Sequence, residues 1–179
     1  MEVCSQPFPV LTTPRLILRD LRSTDGPALF ELRNNEQVNT YLDRPSHHTV
    51  EETQQFISRI INNVSKNESL YWVITLRDND RPAGTISLWN ISQEDNSIEI
   101  GYELHPSHQG KGLMQEALAV VIPYVMDVIK AGTINAFIHT GNAPSIHLMI
   151  KNNFVRNLDL ETRHQEDLVN MHAYSLTRP

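Results

Sequence analysis

Between Glu99 and Met114 the chain reads Glu-Ile-Gly-Tyr-Glu-Leu-His-Pro-Ser-His-Gln-Gly-Lys-Gly-Leu-Met, a Gly-rich turn set between a strand-like run and the start of a long helix. Such a turn aims several unpaired backbone amides, and the positive end of a helix dipole, at one place; an anion belongs there. Gly110 and Gly112 permit close backbone approach, and Lys111 either adds charge beside the anion or solvates the rim. Read alone, Gly-Lys-Gly is equally an ordinary helix-initiating turn, and the spacing of a nucleoside-triphosphate loop, Gly-x-x-x-x-Gly-Lys-Ser/Thr, is missing. Just upstream, Glu99 and Glu103 lie on one strand face, about 13 Å apart at ~3.3 Å per residue, too far to share a proton as a coupled pair. Each is also readable as a solvated or salt-bridged strand residue. Asn142 and Ser145, flanking Pro144, are ordinary helix-start residues and either can cap a short helix. The eight histidines show neither a His-x-x-x-His pair on one helix face nor cysteine partners, so no metal site is expected. Trp72 and Trp89 fall in strand-like runs and read as core residues or pocket walls rather than stacking platforms.

The elements that must position these groups follow from periodicity. Leu16 to Leu18 form a short strand after the Thr-Thr-Pro turn. A helix capped by Ser23 or Thr24 carries Ala28, Leu29, Leu32, Val38 and Leu42 at helical spacing, with a break near Asn34 and Asn35. Thr49-Val50-Glu51-Glu52 fits a capping box ahead of a second helix that buries Phe56, Ile57, Ile60, Ile61 and Val64. Leu70 to Leu76 and Ala83 to Ile91 should pair as a hairpin around Arg77 to Asp80, and Ser97 to Leu104 alternates Ile98, Ile100, Tyr102 and Leu104 against Glu99, Gly101 and Glu103. The helix opened by Gly110 to Gly112 places Leu113, Ala117, Leu118, Val121, Ile122, Val125 and Ile129 on one face, and Pro123 predicts a bend because it denies a donor to the Ala119 carbonyl. Thr133 to His139 reads as a buried strand, Ala143 to Lys151 as a short helix, and Phe154 onward and Met171 to Leu176 as the last strands. Hairpins mixed with a strand–helix–strand crossover predict an α+β (mixed α/β) fold: one central, mostly antiparallel sheet of about six to seven strands flanked by about four helices.

The 179 residues are one domain's worth of chain, with no repeat or linker, and a 40% hydrophobic content supports a sizeable core. Fifteen Lys plus Arg against 21 Asp plus Glu give a formal charge of −6, which argues against broad nucleic-acid binding. No apolar run approaches a membrane span, the opening residues do not read as a signal peptide, and the lone Cys4 excludes an internal disulfide and fits a reducing compartment, so a soluble cytoplasmic protein is expected.

Several of these blocks together resemble the GNAT superfamily of acetyl-CoA-dependent N-acetyltransferases. Gln109-Gly110-Lys111-Gly112-Leu113-Met114 is similar to its acyl-CoA signature Gln/Arg-x-x-Gly-x-Gly/Ala, departing at Met114, where a small residue is usual. Asn142-Ala143-Pro144-Ser145 and Lys151-Asn152-Asn153-Phe154 resemble Asn-x-x-Ser and Lys-x-Gly-Phe, with Asn153, which also tolerates positive φ, in place of glycine. Thr13 to Arg19, Gly84 to Leu88 and Ile100-Gly101-Tyr102 look most like the branch of ribosomal-protein alanine and serine N-acetyltransferases (RimJ/RimL-like). The likeness covers about residues 13–176 and implies a single domain over 1–179.

That resemblance implies direct attack of an acceptor amine on the thioester in a ternary complex. Glu99 stands where several members keep a general base, working directly or through water, with Glu103 as the alternative. A bulge in this strand would turn backbone amides of Tyr102, Glu103 and Leu104 toward the thioester and the pantetheine arm. Gln109, Gly110, Lys111, Gly112, Leu113 and Met114 would meet the pyrophosphate, and Asn142 the pantetheine amide. Many members protonate the leaving thiolate with a tyrosine seven residues after the Asn; here that position is Met149, and Ser145 is the substitute. The acceptor is a peptide N-terminus or a small amine, with a peptide groove expected between the first two helices, near Asn39 to Thr49, and the chain's end. A homodimer is common in such folds. Met149 and Met114 also fit a non-catalytic acyl-CoA-binding or regulatory module that kept the fold and lost turnover.

Overall fold

The structure, a computed structural model, describes residues 7–42, 44–164 and 169–178; Cys4 lies outside the described residues. Its strands are β1 (Leu11–Thr12), β2 (Leu16–Asp20), β3 (Leu70–Leu76), β4 (Asn79–Ser92), β5 (Ser97–Leu104), β6 (Thr133–His139), β7 (Val155–Arg156) and β8 (Met171–Thr177). They form one sheet in the order β1-β2-β3-β4-β5-β6-β8-β7, antiparallel throughout except between β5 and β6. The helices are α1 (Gly26–Arg33), α2 (Glu36–Asn39), α3 (Val50–Ser65), α4 (Leu113–Pro123), α5 (Ala143–Lys151) and α6 (Leu158–Arg163). The mixed, mostly antiparallel α+β sheet expected from the sequence is present, larger by the two-residue β1 and accompanied by the unexpected α6.

The period-2 rule explains the layering. Along β3, Leu70, Trp72 and Ile74 enter one core with α4, whereas Tyr71 and Val73 enter a second with α1 and α3. Both faces of the central strand are therefore dry, which is why it reads as an unbroken apolar run. Trp72 is fully buried, and its indole N–H donates to the Pro9 carbonyl at 2.8 Å. The Thr49 half of the capping box forms, with the hydroxyl accepting from Glu52 N–H, while the Glu52 carboxylate accepts from His48 N–H at 2.7 Å. The stripe behind it is narrower than expected: Phe56 and Ile57 are buried, but Ile61 is exposed and Thr53 takes a buried place instead. On the other side of the break at Asn34 and Asn35, the cap of α1 is Asp25 rather than Ser23 or Thr24, which belong to a preceding 3-10 turn. At Pro123, where the sequence predicts a bend, the structure shows a change of winding: α4 ends there and the chain continues through Ile129 as a π-helical turn. Phe154 packs in the core just before β7 rather than opening it.

One junction in the sheet positions the site. β5 and β6 pair only at Ser97↔Thr133, Ile98↔Ile134 and Glu99↔Asn135, after which β5 continues with β4 and β6 with β8. The expected bulge in β5 is absent: its register with β4 is one-to-one from Glu99 to Leu104. The opening comes instead from β5 and β6 parting company. Because His105 N–H bonds the Ala83 carbonyl, ladder alternation turns the backbone groups of Tyr102 and Leu104 the other way, into the gap.

Candidate active site

The gap is continuous with a cavity of about 1230 Å³ lined from both sheet faces. At one end lies the Gly-rich turn. Gly110 and Gly112 have φ of +71° and +73°, a region that glycine enters without penalty, and an added Cβ at Gly110 would meet nothing within 4 Å. The N–H groups from Gly110 to Gln115 have no protein acceptor among the described residues, while Glu116 N–H already bonds the Gly112 carbonyl at 3.0 Å. An unshielded nest of donors at a helix start suits a diphosphate. The turn is braced by side chains. Gln109 Nε2 donates to the Leu104 carbonyl at 2.8 Å and Lys111 Nζ to the Ser107 carbonyl at 2.7 Å. Arg15 donates to the Lys111 carbonyl at 3.0 Å and pairs with Glu116 at 2.6 Å, while Thr13 Oγ1 also donates to Glu116. Arg15 and Glu116 lie 101 residues apart, so no local pattern announces this brace. Met114 is only 8% exposed and packs into the main core while still lining the cavity.

On the face toward α1 and α3, Glu99, Gly101 and Glu103 follow one another along β5. Glu99 accepts from Asn90 Nδ2 at 2.7 Å, lines the cavity, and is pushed above the usual carboxylate range by its burial. Glu103 sits differently: one oxygen accepts from Arg44, and the other lies 3.8 Å from Arg33 and 3.4 Å from Thr85 Oγ1. Arg33 is itself held by His47 Nε2 at 2.9 Å. Burial and the neighbouring guanidiniums push His47 down to about 4, so at neutral pH the ring is uncharged and its Nδ1 pairs with Thr53 Oγ1 at 2.8 Å. Between the two carboxylates, the Trp89 indole lies across Gly101, where any Cβ would strike the ring. Trp89 is thus a cavity wall, and Trp72 is core.

On the opposite face, Tyr102 points toward α5. Its hydroxyl lies 2.6 Å from Ser145 Oγ, and burial pushes the phenol up to about 12. Ser145 is not the helix cap; Asn142 is, its side-chain oxygen accepting from Ser145 N–H at 3.2 Å. Met149 is fully buried in the core and does not line the cavity. Asn153 adopts φ of +64°, the conformation its glycine-like place requires. The far wall comes from Gln37, Val38, Tyr41 and Leu42, from α6 through Leu160 and Arg163, and from Met171. The segment after α2 turns partly inward, since Asn39 Nδ2 donates to the Arg33 carbonyl and to Ser46 Oγ. Among the described residues no group of three His, Cys, Asp or Glu side chains could hold a metal ion, and no helix is long and apolar enough to cross a membrane.

Residues 15–155 match the family model of the acetyltransferase (GNAT) domain. The chain belongs to the GNAT acetyltransferases. An uncharacterized N-acetyltransferase of Bacillus subtilis (strain 168), YoaA, is 30% identical over 147 residues, covering 82% of this chain and 83% of that protein. Among solved structures, the fold matches RimL, a ribosomal L7/L12 α-N-protein acetyltransferase in complex with coenzyme A, with a TM-score of 0.80 at 20% identity over 94% of this chain and 98% of that one. A putative ribosomal-protein-serine acetyltransferase from Vibrio cholerae matches with a TM-score of 0.82 at 19% identity, covering 97% and 100%. This GNAT chain is therefore an N-acetyltransferase.

Proposed function

We propose that this acetyltransferase moves acetyl from acetyl-CoA to a primary amine by direct attack in a ternary complex, with a protein N-terminal α-amine as its acceptor. The observation that carries the reading is the single cavity joining the open amides of Gly110 to Leu113 to the Glu99 carboxyl through the gap beside β5. Its residues fit the coenzyme: the turn at Gln109 to Met114 for the pyrophosphate, the outward backbone of Tyr102 and Leu104 and the free amide nitrogen of Asn142 for the pantetheine arm. Glu99 takes the amine proton. Glu103 is the less accessible of the two carboxylates because both its oxygens are engaged by Arg44, Arg33 and Thr85; it shapes the acceptor wall. An α-amine with pKa near 7.7 is about one-sixth neutral at pH 7, a lysine only about four in ten thousand, so an N-terminus asks less of this single carboxylate.

The test is release of free thiol from acetyl-CoA against a panel of peptides and small amines. Turnover that follows peptide N-termini supports the proposal; turnover of small amines alone refutes the acceptor assignment, and tight coenzyme binding with no thiol release across the panel refutes the transferase reading. A second check concerns the turn. Gly112→Val forces a β-branched residue to φ near +73°, a strain of roughly 1–2 kcal/mol or more, and the turn can relieve it only by moving its amides. CoA affinity measured by calorimetry should fall at least about tenfold, equivalent to ~1.4 kcal/mol.

A further inference from the structure

Resting on that reading, we propose that Tyr102 is a positioning residue for the leaving thiolate: its hydroxyl donates to Ser145 Oγ at 2.6 Å and thereby turns the serine proton into the cavity, toward the sulfur of the coenzyme. The two side chains come from different elements, β5 and the first turn of α5, and meet on the sheet face opposite Glu99. A phenol has one proton to give. Ser145 is the only hydrogen-bond partner of the Tyr102 hydroxyl among the described residues, and of the two hydroxyls the phenol is the stronger donor and the aliphatic alcohol the stronger acceptor, so the bond's proton is assigned to Tyr102. The serine proton then has no protein acceptor among the described residues, because Asn142 occupies the Ser145 backbone N–H and not its hydroxyl. Met149, where a donor would otherwise be sought, is sealed in the core.

The pair acts by hydrogen bonding and not by giving up a proton. As the amine nitrogen forms its bond to the acyl carbon, the C–S bond breaks and its electron pair stays on sulfur, where the Ser145 O–H stabilises it. The amine proton goes to Glu99, which passes it on to water, and the released thiolate takes a proton from water, so the carboxylate is restored and no net proton is gained or lost. Burial keeps the phenol protonated well above the pKa of a thiol, about 8.5, so Tyr102 remains a donor throughout the cycle.

The experiment compares wild type, Tyr102→Phe, Ser145→Ala, Ser145→Thr and the Phe/Ala double variant, with kcat and KM for acetyl-CoA, and with calorimetric affinities for CoA and desulfo-CoA. Tyr102→Phe and Ser145→Ala should each lower kcat by roughly tenfold or more with KM little changed, and the double variant should be no slower than Ser145→Ala, since the two hydroxyls work as one. Ser145→Thr should keep most of the turnover. Wild type should prefer CoA to desulfo-CoA, and both single variants should lose that preference. An unchanged kcat in Tyr102→Phe, losses that multiply in the double variant, or a preference for the sulfur that survives Tyr102→Phe would overturn the proposal. The desulfo-CoA comparison needs no acceptor, so it judges the hydroxyl pair even if the amine panel yields no turnover. Should Tyr102→Phe fail to fold, equal affinity of wild type for the two coenzymes overturns the proposal, and a preference abolished by Ser145→Ala and kept by Ser145→Thr sustains it.

Discussion

Glu99→Gln lowers kcat by about 10²- to 10³-fold, within the range a positioned general base supplies, and leaves CoA affinity nearly unchanged because the carboxyl lies on the sheet face away from Tyr102 and Ser145. The pH profile gives the sharper reading. A base must be ionised to accept a proton, and burial raises the Glu99 pKa, so activity should climb with pH through a value above the ordinary carboxylate range. That acid limb should vanish in Glu99→Gln, while the limb belonging to the acceptor amine persists in both proteins. Asn90 Nδ2 favours the ionised form, so Asn90→Ala should move the acid limb to still higher pH. Steady-state rates across pH 4–9 with one peptide acceptor decide it: a Gln variant that keeps its kcat removes Glu99 from the mechanism.

Arg19→Met should destabilise the fold by about 3–5 kcal/mol, the loss typical of breaking a buried ion pair from one side. Arg19 is only 3% exposed; it makes a two-pronged contact with Asp25 at 2.8 and 2.9 Å and reaches Asp80 at 2.6 Å. Removing it strands the Asp25 carboxylate, itself 5% exposed, with the Arg22 N–H as its remaining partner among the described residues. Replacing Asp25 as well, in Arg19→Met/Asp25→Leu, should recover much of the loss, because the desolvated charge disappears with its partner. Urea titrations followed by circular dichroism would report both shifts at their midpoints; a single variant within 1 kcal/mol of wild type would contradict the assignment. The stakes extend to the cavity, since Asp25 directly precedes α1 and the chain after α1 lines the cavity through Gln37, Val38, Tyr41 and Leu42.

Much of this architecture is legible because it is local. Alternation in Ser97 to Leu104, the cap at Thr49 and the glycines at 110 and 112 each declare themselves within a few residues. The parts that escape are pairings across the fold. Tyr102 and Ser145 are 43 residues apart, Arg44 and Glu103 are 59 apart, and neither contact leaves a spacing to read. The sequence rightly marks Glu99 and Glu103 as sharing one strand face, yet it cannot say that one keeps a free oxygen and the other is clasped by guanidiniums. The β5 bulge failed as an expectation for a similar reason: a gap in a sheet needs only that two neighbours diverge, and divergence is set by what each strand pairs with on its far side. The short α6, six residues with its cap at Asn157, carries too few apolar positions to show a period.

The three-residue seam between β5 and β6 has a mechanical corollary. Among the described residues it is the sole ladder joining the first five strands to the last three, so beyond the seam the two halves of the sheet hold together through the side chains packed with α4 and not through backbone bonds. Anything that bonds to the outward edge of β5 while resting against α5 therefore adds polar bonds at a place where the two halves otherwise share only packed side chains.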